Sequence, residues 1–232
     1  MNDPNRLALQ TIARALGTMN DEVVYVGGAV IGLLVTDPAS APIRPTDDVD
    51  CIIEVASRAE YDSRVRNQLL DRGFSELIGP DIPVCAWTRD GIRLDVMPTD
   101  DSILGFSSSW YAEAIETAKK IDVGGIRIRV ITAPYLIATK LEAFKSRGRN
   151  DYLASHDLED IVALIDSRVS VPDEVLASTR GVRRYIADEF GTMLADSGFA
   201  AALPGLILDP GRVAFVRHQM NRIVSLSGTA TS

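Results

Sequence analysis

Histidine, cysteine and tryptophan are scarce in this chain, with two of each in 232 residues. Cys51, Cys85, His156 and His218 occupy four distant places, which argues against a zinc centre built on Cys/His spacing. Both cysteines sit inside apolar, strand-like runs and read as core thiols rather than a disulfide framework. Long apolar runs are lacking as well. None approaches the roughly 20 residues that a membrane-spanning helix needs. The start, Met1-Asn2-Asp3-Pro4-Asn5-Arg6, has no basic-then-apolar secretion pattern. A cytoplasmic protein making no membrane contact is expected. Positive charge is also in deficit: the net charge is −8, opposite in sign to that of a dedicated duplex-DNA binder. There is no internal repeat, and the only low-complexity stretch is the short tail Gly228–Ser232, expected to fray.

Core-forming material is ample, at 46% hydrophobic residues, enough for one large or two modest domains. Helical spacing of apolar residues runs from Leu7 to Leu16 and stops at Gly17. A strand is expected at 23–26, a short helix at 29–35 and a second strand at 48–55. Ser57 is placed to cap a helix through Leu70. Strands at 84–89 and 92–97 flank Asp90-Gly91, a strong hairpin signal. A helix over 110–119 precedes a second hairpin, 120–123 and 126–131, around Gly124-Gly125. From Pro134 every segment reads as helix, over 134–147, 153–167, 173–195 and 210–226. The order is mixed α/β followed by all-α, an α+β chain with domains at 1–132 and 133–232. Trp87 and Trp110 read as core side chains rather than base-stacking platforms.

The most informative stretch is Arg44-Pro45-Thr46-Asp47-Asp48-Val49-Asp50-Cys51, an acidic cluster entering an apolar strand. Side chains two apart on a strand share a face, so Asp48 and Asp50 project together. Two carboxylates side by side repel unless a cation lies between them, and hard oxygen ligands suit Mg²⁺ or Mn²⁺. Asp47 has the opposite alternation and reads as part of the turn. A third carboxylate comes from Ile92-Arg93-Leu94-Asp95-Val96-Met97, where Asp95 points away from the Leu94/Val96 face, together with Arg93. Upstream, Val23-Val24-Tyr25-Val26-Gly27-Gly28-Ala29-Val30 reads as strand, glycine pair and helix. Such a turn offers backbone N–H groups to a phosphate. Thr46 either hydrogen-bonds a phosphate or fixes the turn. Cation site and phosphate cradle together point to phosphoryl or nucleotidyl transfer.

Later in the chain, Lys140 lies beside the apolar stripe formed by Leu136, Ile137, Leu141 and Phe144. There its ammonium could reach a triphosphate as a point charge, the plain alternative being a snorkelling surface lysine. With Lys145, Arg147 and Arg149 it makes one basic stretch; Arg180, Arg183 and Arg184 make another, read equally well as a solvated helix face. His156-Asp157 falls short of a metal-phosphohydrolase site for want of further histidines, and Asp157 reads as a helix cap.

Gly27-Gly28 followed by Asp47-Asp48-Val49-Asp50 and the later strand aspartate Asp95 resembles the DNA polymerase β-like nucleotidyltransferase superfamily. Within it, the chain resembles AbiEii/AbiGii-type toxins of bacterial toxin–antitoxin and phage-defence systems. Residues 140–161, a helical lysine followed by arginine and aspartates, are similar to that family's later motif, and the likeness covers roughly residues 23 to 168. The spacer from Gly28 to Asp47 is longer than usual, with a loop expected at Asp37–Pro42. Asn150-Asp151 stands where a basic residue usually precedes Asp, so Asp151 and Asp157 both remain candidates for the later aspartate.

The resemblance implies a polymerase-β-like core with a mixed sheet, followed by an all-helical domain. It implies Mg²⁺ or Mn²⁺ on Asp48, Asp50 and Asp95, and NTP held by Gly27, Gly28, Thr46 and Lys140. Arg147, Arg149 and Asp157 would face the acceptor. That acceptor would be an RNA, such as a tRNA 3′ end, or a protein, with an antitoxin protein as a further partner. An aminoglycoside-modifying transferase uses the same core and is the main alternative. A non-catalytic nucleotide-binding protein is the second. Its dinucleotide-binding form fits poorly, because glycines at 27, 28 and 32 miss the G-x-G-x-x-G fingerprint.

Overall fold

The computed structural model describes residues 3–37, 42–147 and 151–229. The chain divides into two units. One comprises Asn2–Leu33 and Arg44–Thr132 and contains every strand among the described residues. The other joins Leu34–Ile43 to Ala133–Ser232 and is helical. No helix among the described residues is long and apolar enough to cross a membrane.

In the first unit, α1 (Arg6–Leu16) buries Leu9, Ile12, Ala13 and Leu16, one stripe at helical spacing. Strand β1 (Val23–Val26) is buried along its whole length, as suits a strand with neighbours on both sides. After a single turn at Gly28–Val30 comes the short α2 (Ile31–Leu34). Strand β2 (Asp48–Ile53) begins with half-buried residues alternating with buried ones and ends fully buried. Ser57 then caps the next helix, its Oγ accepting from Glu60 N at 3.1 Å. That helix consists of α3 (Arg58–Glu60), a widened π-helical segment Tyr61–Arg66 and α4 (Asn67–Asp71). From the widened turn, the Tyr61 hydroxyl donates to the Val96 carbonyl at 2.8 Å.

Strands β3 (Ser75–Glu76), β4 (Ala86–Arg89) and β5 (Ile92–Pro98) follow. Asp90 and Gly91 join β4 to β5 with φ of 54° and 77°, the paired left-handed conformation of a tight hairpin turn. Helices α5 (Asp101–Leu104) and α6 (Tyr111–Thr117) lead into the hairpin β6 (Lys119–Val123) and β7 (Ile126–Val130). The expected helix to Lys119 stops two residues earlier because Lys119 pairs with Val130 in the β6–β7 ladder. Among the described residues the strands form one seven-stranded mixed sheet in the order β3-β4-β5-β2-β1-β7-β6. Strand β2 runs antiparallel to β1 and parallel to β5. Strand β1 meets β7 in parallel.

The helical unit contains α7 (Ala133–Arg147), α8 (His156–Ser167), α9 (Val171–Ala177), α10 (Arg180–Ala195), α11 (Ser197–Ala202) and α12 (Val213–Thr229). The single helix expected over 173–195 is broken at Ser178-Thr179. Ser178 is extended, and its Oγ donates back to the Val175 carbonyl at 2.6 Å, an alternative to helical pairing. The segment starting at Leu34 belongs here through its backbone. Thr36 and Asp37 N–H groups both donate to the Ser167 carbonyl, at 3.1 and 2.9 Å. Arg212 joins them by an ion pair to Asp37 at 3.2 Å. Residues 38–41, in the expected 37–42 loop, and residues 230–232 of the tail lie outside the described residues.

Candidate active site

Register builds the site. In the parallel β2–β5 pair, Asp50 lies opposite Asp95 and Asp48 opposite Arg93. Period-two alternation puts Asp48 and Asp50 on one face of β2, and Asp95 on the same face of β5. Ligand oxygens of Asp48, Asp50 and Asp95 consequently lie within 4.8 Å of one another. Asp95 is buried, the other two half-buried. Asp47, exposed at the turn, stands outside this group.

Arg93 forks onto Asp95, Nε to Oδ1 at 2.8 Å and Nη2 to Oδ2 at 2.6 Å. This hydrogen-bonded pairing holds the guanidinium proton more tightly than usual, with the charges of Asp95, Asp48 and Asp50 adding to it. The Asp48 carboxyl is held above the ordinary carboxylate range, first by burial and then by the charge of Asp95, despite the opposing pull of Arg93. Burial also pushes up the Cys85 thiol, to about 12, with Asp95 and Asp50 contributing. Three carboxylates and one guanidinium leave two formal negative charges. The donor set is all hard oxygen. Both properties fit Mg²⁺ or Mn²⁺.

The glycine pair meets this centre directly. Val26, the last residue of β1, pairs with Asp50, so Gly27 follows immediately beside it. Gly27 has φ of 71°, and a Cβ there would lie 1.9 Å from Asp50 Oδ2. Any Cβ there would displace the Asp50 carboxylate and sit on a left-handed backbone, so the position favours glycine. Thr46 fixes the turn before β2: its Oγ1 donates to the Asp48 carbonyl at 3.0 Å. The Thr46 N–H donates to Asn5 Oδ1 at 2.9 Å, and Asn5 Nδ2 donates to the Arg44 carbonyl at 3.0 Å. Buried Asn5 thus clamps both ends of the Arg44–Thr46 turn instead of capping α1. Sequence reading missed it, since nothing local links Asn5 to a turn some forty residues on.

No protein-family model matches the chain, and no curated protein matches it. Among solved structures it is similar to an antigenic nucleotidyltransferase-like protein from Paracoccidioides brasiliensis, at 17% identity and TM-score 0.49, covering 94% of each chain. It is also similar to the antibiotic-resistance factor ANT(2″)-Ia, at 16% identity and TM-score 0.47, covering 70% of this chain and 85% of that one. A third likeness is to JHP933 from Helicobacter pylori, at 12% identity and TM-score 0.49, covering 97% and 94%.

In the helical unit, Lys140 on α7 is buried, with its ammonium 2.7 Å from Asp160 Oδ2 and 3.3 Å from Asp157 Oδ1. The expected snorkelling or phosphate-facing ammonium is therefore paired with two carboxylates of α8. The helix cap expected at Asp157 is corrected. Ser155 caps α8, accepting from Leu158 N at 3.3 Å, while Asp157 sits in the first turn, where its charge suits the helix dipole. Asp151 binds the backbone N–H groups of Leu153 and Ala154 at 3.0 and 3.1 Å, a turn role. Lys145 pairs with Glu189 at 2.5 Å. Arg149 and the side chain of Arg147 lie outside the described residues. Of the second basic stretch, Arg183 donates to the Leu176 carbonyl at 3.0 Å and Arg184 pairs with Asp188 at 3.5 Å.

Proposed function

We propose that this protein is a Mg²⁺- or Mn²⁺-dependent nucleotidyltransferase. The observation that carries the reading is the convergence of Asp48, Asp50 and Asp95 within 4.8 Å, with Gly27 against Asp50. Asp48, Asp50 and Asp95 are the residues that would hold the cation. The cation, when bound, neutralises charge on the phosphates and on the transferring group. Gly27 and Gly28 open the turn at Gly28–Val30, and backbone N–H groups at such a turn would receive the phosphates. Thr46 acts by holding the turn that presents Asp48. An acceptor oxygen attacks the α-phosphorus, forming the new P–O bond as the bond to the bridging oxygen breaks and pyrophosphate leaves. The hydroxyl proton passes to the Asp95 carboxylate, whose Arg93 partner holds it in place.

For the acceptor we propose an RNA, such as a tRNA 3′ end, with a protein side chain as the next choice. Growth arrest neutralised by an antitoxin is the accompanying biological reading, supported by the motif resemblance. In a cytoplasmic setting both RNA and NTP are at hand. The test is incubation of purified protein with each α-labelled NTP and Mg²⁺, with total RNA or an aminoglycoside offered as acceptor. Label should enter RNA with one preferred nucleotide, and Asp48→Asn or Asp50→Asn should abolish it. Label entering an aminoglycoside instead would move the acceptor to an antibiotic. Turnover by Asp48→Asn above about a tenth of the wild-type rate would remove Asp48 from the cation site.

A further inference from the structure

The pairing of Arg93 with Asp95 bears on how tightly the centre can hold a cation, given the cation-site reading above. Both Asp95 oxygens receive a guanidinium N–H, at 2.8 and 2.6 Å. Each carboxylate oxygen keeps a second lone pair, so a metal can still bind Asp95. It does so against a fixed positive charge at hydrogen-bond distance from its ligand. The pair is local: Arg93 and Asp95 are two residues apart on one face of β5, and Asp48 is the register partner of Arg93. Asp95 is 8% exposed and Arg93 33%, so a buried carboxylate is paired with a more exposed guanidinium.

We infer that Arg93 is a built-in counter-cation that competes with the metal for Asp95 and lowers the intrinsic divalent-cation affinity of the centre. In the absence of metal it stands in for part of the missing charge, keeping three close carboxylates compatible with folding. Arg93 is thus a positioning residue, acting through Asp95. A pair that serves only the fold makes the opposite forecast, since losing it leaves Asp95 less well placed and weakens metal binding.

The experiment is Mn²⁺ titration of metal-free protein, reading free Mn²⁺ by electron paramagnetic resonance, alongside the rise in melting temperature on adding Mg²⁺. Arg93→Gln, similar in length and uncharged, should bind Mn²⁺ about tenfold or more tightly, even with water-like screening between charges. It should melt lower than wild type without metal and gain more from Mg²⁺. Arg93→Lys keeps the charge but cannot fork onto both oxygens, and should fall between wild type and Arg93→Gln. Asp48→Asn should lose Mn²⁺ binding. Wild-type affinity lost in Asp48→Asn but unchanged or weakened in both Arg93 variants would overturn the inference while leaving the cation site standing. No Mn²⁺ binding by wild type would overturn both.

Discussion

A Cβ placed on Gly27 would lie 1.9 Å from the Oδ2 atom of Asp50 and 2.8 Å from its Cγ. The glycine at the end of β1 and the aspartate in the middle of β2 therefore share one space. The backbone of Gly27 is also left-handed, so the smallest substitution meets both a clash and a strained φ. Gly27→Ala should cost roughly 1–3 kcal/mol of stability and displace the Asp50 carboxylate. Calorimetric Mg²⁺ binding should weaken in the folded variant. Unchanged stability together with unchanged binding would mean that Asp50 moves aside freely.

Asp48 governs a pH effect whose sign follows from its surroundings. Its carboxyl is held above the ordinary value of 3.8 by burial and the neighbouring Asp95 charge. The folded protein therefore binds this proton more tightly than the unfolded chain. Stability from this group is present below 3.8 and lost as pH rises through the folded value. Asp48→Asn should melt higher than wild type in metal-free buffer at neutral pH, the difference shrinking toward pH 4. Melting curves across that range, with chelator present, measure it; a constant difference would place its origin elsewhere.

Lys140 should behave as a buried counter-ion. Lys140→Met leaves Asp157 and Asp160 without their ammonium and should cost about 3–5 kcal/mol in urea unfolding. Adding Asp160→Asn should recover part of that loss, because one buried carboxylate charge is then gone. A stable Lys140→Met protein with normal melting would show that the pair contributes nothing.

The two thiols should be silent. Burial raises the proton affinity of both Cys51 and Cys85, further increased by the nearby aspartates. Thiolate, the reactive form, is thereby suppressed. A chromogenic disulfide reagent at pH 8 should find no thiol in folded protein and two after denaturation. Prompt reaction of either in the native state would contradict the burial.

How much of this was legible in the chain depended on distance along it. Asp48 and Asp50 were readable as one face because a strand repeats every two residues, and Asp90-Gly91 announced its hairpin by composition alone. Asp95 was readable as the third carboxylate of a strand able to pair beside theirs; only the exact β2–β5 register, Asp50 opposite Asp95, is set by no local pattern. The same holds for Asn5, whose amide bonds a turn in another part of the chain. Gly27 was legible as a turn glycine, yet its closest constraint is the Asp50 carboxylate. Ser178 shows the reverse failure: the helix expected over 173–195 runs across it, but its hydroxyl bonds the Val175 carbonyl and the helix breaks there. Arg93 was visible on the Asp95 face of its strand; only the side-chain geometry shows the fork.

The parallel β2–β5 pairing has a consequence for how the sheet opens. The β4–β5 and β6–β7 ladders join neighbours in sequence and can zip from their turns. Strands β2 and β5 meet only after α3, α4, β3 and β4 have been laid down between them. A cation bridging Asp50 and Asp95 would be a rivet across that seam, able to exist only once the sheet has closed. Amide exchange along β2 and β5 should therefore slow on cation loading more than exchange in the β6–β7 hairpin. Cation binding then becomes a test of completed folding, invisible to any fragment that stops short of β5.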